Sequence, residues 1–379
     1  LWEIYRQRNK TLPTKEVRRI TEEVVAATWI RATHSAYQVR EVMANFWHNH
    51  FNVAAKDSLA VRTGTAAYDR DAIRPHVFGN FREMLEANAT SVSMLFYLDN
   101  AISKPATPNE NYARELLELH TLGQEAYLGQ VTPSTVTKNS NGVATGFTDD
   151  DVITTSRALS GWTVGSGTRM RKLGTLPTTG EFHYEPFLHN TDAALFMGKD
   201  LSGLRDDMAQ GRAILDIIAT HEATATFLCT KICVRLFGDT PPTNVLNAAI
   251  SAWMSHQSQP DQLRQVMKTI LLSPEIGAAA SKVRQPFEKT VAFMRSVGAT
   301  AVPHRSMFSL LRKTPDQIFT WPAPNGHPDI DGYWLSSAAL ITEWKALLTV
   351  LGLPMTGVSI TDESLATTSV NKLVEDWVG

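Results

Sequence analysis

Apolar residues recur at spacings of three and four along most of this chain, and that period commits it to packed helices rather than sheets. Between Lys15 and His50 the series Val17, Ile20, Val24, Val25, Trp29, Val39, Val42, Met43 and Phe46 lies between charged positions. It predicts one or two long helices. Residues 71–99 continue the pattern with breaks at Pro75 and Gly79, although the short run SMLFYLD can be read as helix or strand.

Capping chemistry sharpens the reading further on. In TPNENYARELLELHTLG, Asn109 is placed to cap, Glu110 falls in the first turn and Gly123 can stop the helix, which predicts a helix from about Asn109 to Leu122. GFTDDDVITTSRALSGW repeats the grammar, with Thr148 and Asp151 spaced as a capping box and Gly161 as the stop. More helices are expected over 206–219, HEATATFLCTKICVRLFG, 243–256, DQLRQVMKTILLSPE, KVRQPFEKTVAFMRSVGA and LITEWKALLTVLGL. Three segments interrupt them: a Thr, Ser, Asn and Gly-rich loop at about 124–147, a region at about 162–190, and a Pro, Gly and aromatic loop at about 320–335. Alternation at Phe182 and Tyr184 is the one strand signal, read as a small β-hairpin. The expectation is one mostly α-helical domain over 1–379, with a small hairpin and long ordered loops.

Composition narrows the function by exclusion. The 36 basic and 38 acidic residues are dispersed, which argues against a nucleic-acid footprint. No apolar run reaches the length of about 18–20 residues that spans a bilayer. The two cysteines, Cys229 and Cys233, sit four apart in an apolar run, where small buried hydrophobes are the ordinary reading and soft-metal ligands the rarer one. No phosphate-binding loop, nucleophile elbow or HExxH is present.

The chemistry-bearing stretch is FWHNHF, Phe46 to Phe51. Residues two apart on an α-helix point about 200° away from each other, so His48 and His50 can share one metal ion only if the helix ends before about His48. In extended chain, they project to the same side. The alternative is that His50 is a satisfied core histidine and His48 contacts backbone.

The second stretch is NENYARELLELH. On its helix Asn111, Glu115 and Glu118 share a stripe, while His120 falls on the apolar one with Leu116 and Leu117. Three polar groups on one stripe can face a site; they can equally form a solvated face laced by Arg114 ion pairs. Packing against the aromatics of FWHNHF would shift the pKa of Glu115 or Glu118 and make it a base or ligand. Weaker candidates are His183, Glu185, His189 and Asn190 near the hairpin, and His327, Asp329 and Asp331 in the late loop.

Taken in order, FWHNHF, NENYARELLELHTLG, RALSGW, HEATATFLCTKICVRLF, RQPFEKTVAFMRSVGA and WPAPNGHPDIDGYW resemble a large bacterial family catalogued as domain of unknown function 1800. The resemblance runs from about Glu41 to Trp344. It implies an exported protein, periplasmic or extracellular, and a further helical segment ahead of FWHNHF that this chain lacks in part. The chain departs from the family habit twice: His189-Asn190 stands where His-Asp is usual, and Gly326-His327-Pro328 where Gly-Trp-Pro is usual.

These readings combine into an expected metal-assisted enzyme, hydrolysing or oxidising an extracellular polymer or small molecule. Its site would lie between FWHNHF and NENYARELLELH, with His48, His50 and His120 as metal ligands. Glu115 would be acid, base or ligand, Arg114 an anion or carboxylate partner, and Asn111 and Glu118 further site residues. The cofactor expected is a divalent metal, with non-covalent haem on one of the three histidines as a remoter choice. The alternative is a non-catalytic surface or assembly protein in which the same residues form a buried polar network.

Overall fold

Several breaks in the helical period coincide with a capping side chain, at Ser58, Asn80, Ser91, Asn109 and Thr148 among them. A computed structural model of the protein describes residues 14–170, 174–205, 207–279, 282–301 and 318–335, together with 337, 340, 341, 344 and 358–360. The first apolar series forms two helices, α1 (Thr14–His34) and α2 (Gln38–His50), separated at Ser35, whose hydroxyl accepts the Tyr37 N–H at 3.0 Å. Helix α3 (Leu59–Ala67), capped by Ser58, runs straight into a π-helical turn at Tyr68–Ile73 and a 3-10 turn over Pro75. Asn80 then caps α4 (Phe81–Ala89) and Ser91 caps α5 (Val92–Tyr97), so SMLFYLD is mainly helical.

Asn109 starts α6 (Glu110–Glu118) by accepting the Tyr112 N–H at 3.0 Å. The helix stops at Glu118 rather than Leu122. The Thr121 hydroxyl takes the Leu116 carbonyl at 2.7 Å and the Gly123 N–H takes that of Leu117, which closes the end early. His120 therefore sits in the turn after the helix. In α7 (Asp149–Ala158) the expected capping box is present: the Asp151 carboxylate accepts the Thr148 N–H at 2.8 Å.

The hairpin region supplies β1 (Trp162–Val164) paired antiparallel with β4 (Phe182–Tyr184), in the register Trp162 with Tyr184. Between them β2 (Arg169–Met170) pairs with β3 (Gly174–Thr175), and later β5 (Leu195–Phe196) pairs with β6 (Lys199–Asp200). The β1–β4 pair is the hairpin expected from Phe182 and Tyr184, whereas β2–β3, β5–β6 and the pairing of β7 (Ala299–Ala301) with β8 (Val358–Ile360) were not legible in the sequence, since two or three residues carry no period. Helices then return as α8 (Ala209–Ala219), α9 (Glu222–Phe237), α10 (Thr243–Ser255), α11 (Gln262–Leu271) and α12 (Pro286–Ser296), with a single turn, α13 (Asp331–Trp334), in the late loop. The helix expected over LITEWKALLTVLGL lies mostly outside the described residues.

The fold is a mostly α-helical single domain. Its main core gathers α2 to α11 around large rings: Phe81 lies 6.0 Å from Trp47, 6.3 Å from Phe51 and 5.0 Å from Trp253. A smaller cluster joins α1 to α12 through Trp29 and Phe287, edge to face at 4.6 Å. Both cysteines are buried thiols in the main core, on the inner face of α9.

Candidate functional site

Helix α2 continues through His50, with Phe51 as its C-cap. The condition for His48 and His50 to share an ion is thus not met, and their rings serve opposite sides of the helix. His48 Nε2 lies 2.8 Å from Asp69 Oδ1. Asp69 stands on the π-helical turn and also receives Arg74 Nε at 2.9 Å and Arg31 at 3.3 Å, while Arg74 pairs with Glu41 at 2.9 Å. Burial works to raise the Asp69 carboxyl, but the hydrogen bond and charge of His48 and the two guanidiniums overcome it and hold the group at about 2. The π-turn aims this carboxylate inward, and such turns concentrate at functional positions.

His50 faces the end of α6. Its Nε2 is 3.1 Å from the His120 carbonyl and its Nδ1 is 3.0 Å from Lys231 Nζ on α9. An ammonium can only donate, so Nδ1 accepts and the ring proton sits on Nε2, donated to His120. Burial, then the Lys231 charge, pushes His50 well below the usual histidine range, and the same two causes take His120 down to about 3. Lys231 itself is lowered by burial to about 8, with Asp329 opposing the shift from a distance. Its ammonium lies 5.3 Å from the centre of the Phe227 ring.

Of the residues expected at one site, the structure brings His50 and His120 together, ring centroids 6.1 Å apart, and adds Lys231. His48 belongs to the Asp69 network instead. Asn111 is exposed on α6. Arg114 is a carboxylate partner to the protein itself, 3.2 Å from Glu118 and 3.4 Å from Asp149, and lies over the Tyr127 ring at 5.4 Å. Glu115 is half-buried; burial and then Glu118 push its carboxyl above the usual range. Among the described residues, no group of three or more His, Cys, Asp or Glu side chains is placed to hold a metal ion. With both His50 nitrogens engaged and His48 turned to Asp69, the expected ligand set of His48, His50 and His120 does not fit one ion.

A cavity of about 710 Å³ opens beside this cluster, in the size range of small-molecule sites. It is walled by the end of α6 and the turn after it (Glu118, Leu122, Glu125), by Asn139 and Thr145 of the long loop, by Asn325, and by one face of α9 from Glu222 to Lys231. Glu222, Thr226 and Thr230 recur every four residues, as do Ala223, Phe227 and Lys231 beside them, and these two rows form that face, while Leu228, Cys229, Ile232 and Cys233 turn to the core. His221 fixes the loop wall. It accepts the Ala223 N–H at 3.0 Å as N-cap of α9, and its Nε2 meets the Ala144 carbonyl at 3.0 Å. Lys231 was missed in the sequence, although a lysine and Arg235, four apart inside an apolar helix, were a signal that both needed buried partners.

The outer side of α2 holds the late loop. Asn49 Nδ2 donates to the His327 carbonyl at 2.9 Å and its Oδ1 accepts the His327 N–H at 2.8 Å, a reciprocal amide pair. Asn52 donates to Trp321 and Ala323, and the Ala55 N–H to Phe319. Gly326, at φ +72°, lets the loop lie against Asn49 where a Cβ would strike the Asn49 carbonyl oxygen. Between them remains a space of about 30 Å³, room for one water, facing His48, His327 and Asn45. Burial first, then Arg235, takes His327 down to about 4.

The weaker candidates serve the frame. His183 and Glu185 are 3.5 Å apart, His189 Nδ1 meets the Ser160 carbonyl at 3.0 Å, and Asn190 donates to Pro105 at 2.7 Å. Asp329 binds Lys282 at 2.8 Å and lies 3.5 Å from Arg235, which also pairs with Glu288 at 2.7 Å and donates to Asn45 Oδ1 at 3.1 Å. The Asp331 carboxylate accepts the Val283 N–H at 3.2 Å.

No helix among the described residues is long and apolar enough to cross a membrane. Neither the curated proteins nor the solved structures contain a significant match to the chain. The family model described as "Protein of unknown function (DUF1800)" matches residues 3–379, essentially the whole length, and the chain belongs to that family.

Proposed function

We propose that the protein is an enzyme that holds a polar organic substrate in the cavity between the end of α6, the long loop and α9, and works on it by amine and imidazole acid–base chemistry. The single observation that carries this reading is Lys231. A lysine of lowered pKa lines a substrate-sized cavity, and its proton has an acceptor already in place on His50. Glu118 and Glu222 on the same walls add carboxylates that can exchange protons with a bound molecule. On the family's likeness to exported proteins, we propose a periplasmic or extracellular site of action, which fractionation of the native cells tests.

The test fills the cavity without touching its chemistry. Thr226 is exposed on the cavity face of α9, so Thr226→Trp occupies the space and leaves Lys231, His50 and the core intact. Thermal shift against a panel of sugars, hydroxy acids, aldehydes and amino acids should find ligands that stabilise the native protein and not the variant. A panel that acts alike on both sinks the reading. A stoichiometric divalent ion, lost in both His48→Ala and Glu115→Ala, would replace it with metal-assisted chemistry.

For His48 a different reading is favoured by its surroundings. The Arg31, Asp69, Arg74 and Glu41 network around it is ionically matched and closed off from the large cavity, which supports a role in fixing α2 against the π-turn.

A further inference from the structure

An amine in a cavity can serve as an anchor for anions or as a nucleophile, and the charges around Lys231 distinguish the two. Three carboxylates, Glu118, Glu125 and Glu222, share the cavity walls with it. An anionic ligand would meet three like charges for one favourable contact, so anion anchoring is disfavoured. A neutral carbonyl compound meets no such barrier. The direct hydrogen-bond partner of Lys231 is an imidazole rather than a carboxylate, and a neutral acceptor does not fix the amine in its charged form as an ion pair would.

We propose that Lys231 is the reactive amine of this cavity and forms a protonated imine with an aldehyde or ketone ligand. The proposal rests on the cavity being the reactive site and names its ligand class. The Lys231 ammonium passes one proton to His50 Nδ1, which is 3.0 Å away and holds a free lone pair because the ring proton is on Nε2. The amine lone pair then forms a C–N bond to the carbonyl carbon as the C=O π pair moves to oxygen. That oxygen takes one proton from His50 and one from nitrogen, and leaves as water. Overall an ammonium and a carbonyl give a protonated imine and one water, with no oxidant or reductant consumed. The titratable groups around the amine are His50 in direct contact, His120, His327 and Asp329 acting on it through their charges, and Glu118, Glu125 and Glu222 on the cavity walls.

The test uses acetaldehyde at limiting concentration with sodium cyanoborohydride, which reduces the imine and leaves an ethylated lysine, followed by peptide mapping at pH 7. Lys104 and Lys268, both exposed, are the internal standards. An ordinary lysine is about 1 part in 2,500 neutral at that pH, against about 1 in 10 for an amine near 8, and lower intrinsic nucleophilicity takes back part of the gain. Lys231 should be labelled at least about tenfold faster than either standard, and Thr226→Trp should abolish the advantage. Equal or slower labelling of Lys231 overturns the proposal, as does an advantage that survives Thr226→Trp. Because acetaldehyde probes the amine without the natural substrate, slow labelling alongside ligand-specific thermal shifts would sink the imine and leave the cavity reading standing.

Discussion

Replacing Gly326 by alanine should release the late loop from α2. At φ +72° an alanine pays roughly 1–2 kcal/mol for the left-handed conformation alone. The added methyl would also lie against the Asn49 backbone carbonyl, which is fixed within α2 and cannot swing aside. The loop must therefore lift, and the reciprocal Asn49–His327 amide pair is lost at roughly 0.5–1.5 kcal/mol for each of its two hydrogen bonds. Together these come to about 2–5 kcal/mol of local docking energy. Gly129 is the matched control: it has φ +71° with open space around its α-carbon, so Gly129→Ala carries only the conformational cost. Native-state hydrogen exchange reads the difference where it arises, at the His327 and Ala55 amides, whose acceptors are Asn49 Oδ1 and the Phe319 carbonyl. Gly326→Ala should speed their exchange roughly 30-fold to several thousand-fold, and Gly129→Ala should leave it unchanged. Unaltered protection in Gly326→Ala would show that the close approach to Asn49 does not hold the loop.

Asp69→Asn removes the charge that His48, Arg74 and Arg31 share, and should cost about 3–5 kcal/mol in urea unfolding. The same carboxylate makes an acid prediction. Its folded pKa of about 2 lies below the ordinary 3.8, so its stabilisation is complete above that ordinary value and disappears as the pH falls through about 2. The amount is about 2 kcal/mol, and the stability profile of Asp69→Asn between pH about 4 and 2 should be correspondingly flatter. Lys231 gives a slope of the same sign in the alkaline range: with its pKa lowered to about 8, the unfolded chain binds the proton more tightly, so stability should rise from pH about 8 towards 10, and that rise should vanish in Lys231→Met. Arg235, 2% exposed and paired with Glu288, should cost about 3 kcal/mol as Arg235→Met, and Glu288→Leu in that background should recover part of the loss; strictly additive losses would refute the coupling.

Helices were legible in this sequence because most span several turns of apolar period, and some carry caps that announce their starts. Asn109 and the Thr148–Asp151 box mark their starts with side chains that find the predicted backbone groups. The short ladders were not, since β5 and β6 are two residues each and their position is set from outside, by the Asp151 carboxylate accepting the Met197 N–H at 2.6 Å in the turn between them. The same divide runs through the site. That FWHNHF and NENYARELLELH meet was an expectation of the sequence, and His50 does meet His120. Which partners complete the meeting was beyond reach, because Lys231 lies 181 residues from His50 in sequence and Asp69 is delivered to His48 by a π-turn that no local spacing announces.

The uninterrupted helix through FWHNHF explains why the motif needs polar side chains at three successive positions. On a helix they cannot serve one point, and here they serve three. His48 turns to the carboxylate of the π-turn, Asn49 takes both backbone groups of His327, and His50 sits in the core between the His120 carbonyl and Lys231. Three separately encoded segments are thereby referenced to a single rigid rod, anchored by Phe46, Trp47 and Phe51 in the aromatic core. Rigidity matters most at His50, because proton exchange with Lys231 depends on a 3.0 Å contact between residues on different helices. A displacement of α2 by 1 Å would leave the cavity in place and break that contact. The Asp69 network grips α2 on a face away from His50, while the late loop both grips α2 through Asn49 and Asn52 and brings Asn325 to the cavity and the charges of His327 and Asp329 within reach of Lys231. It follows that Gly326→Ala, which loosens the hold on α2 and shifts the loop beside the cavity together, should also slow the labelling of Lys231 by acetaldehyde. Labelling at the native rate in that variant would mean that α2 holds its place without the loop.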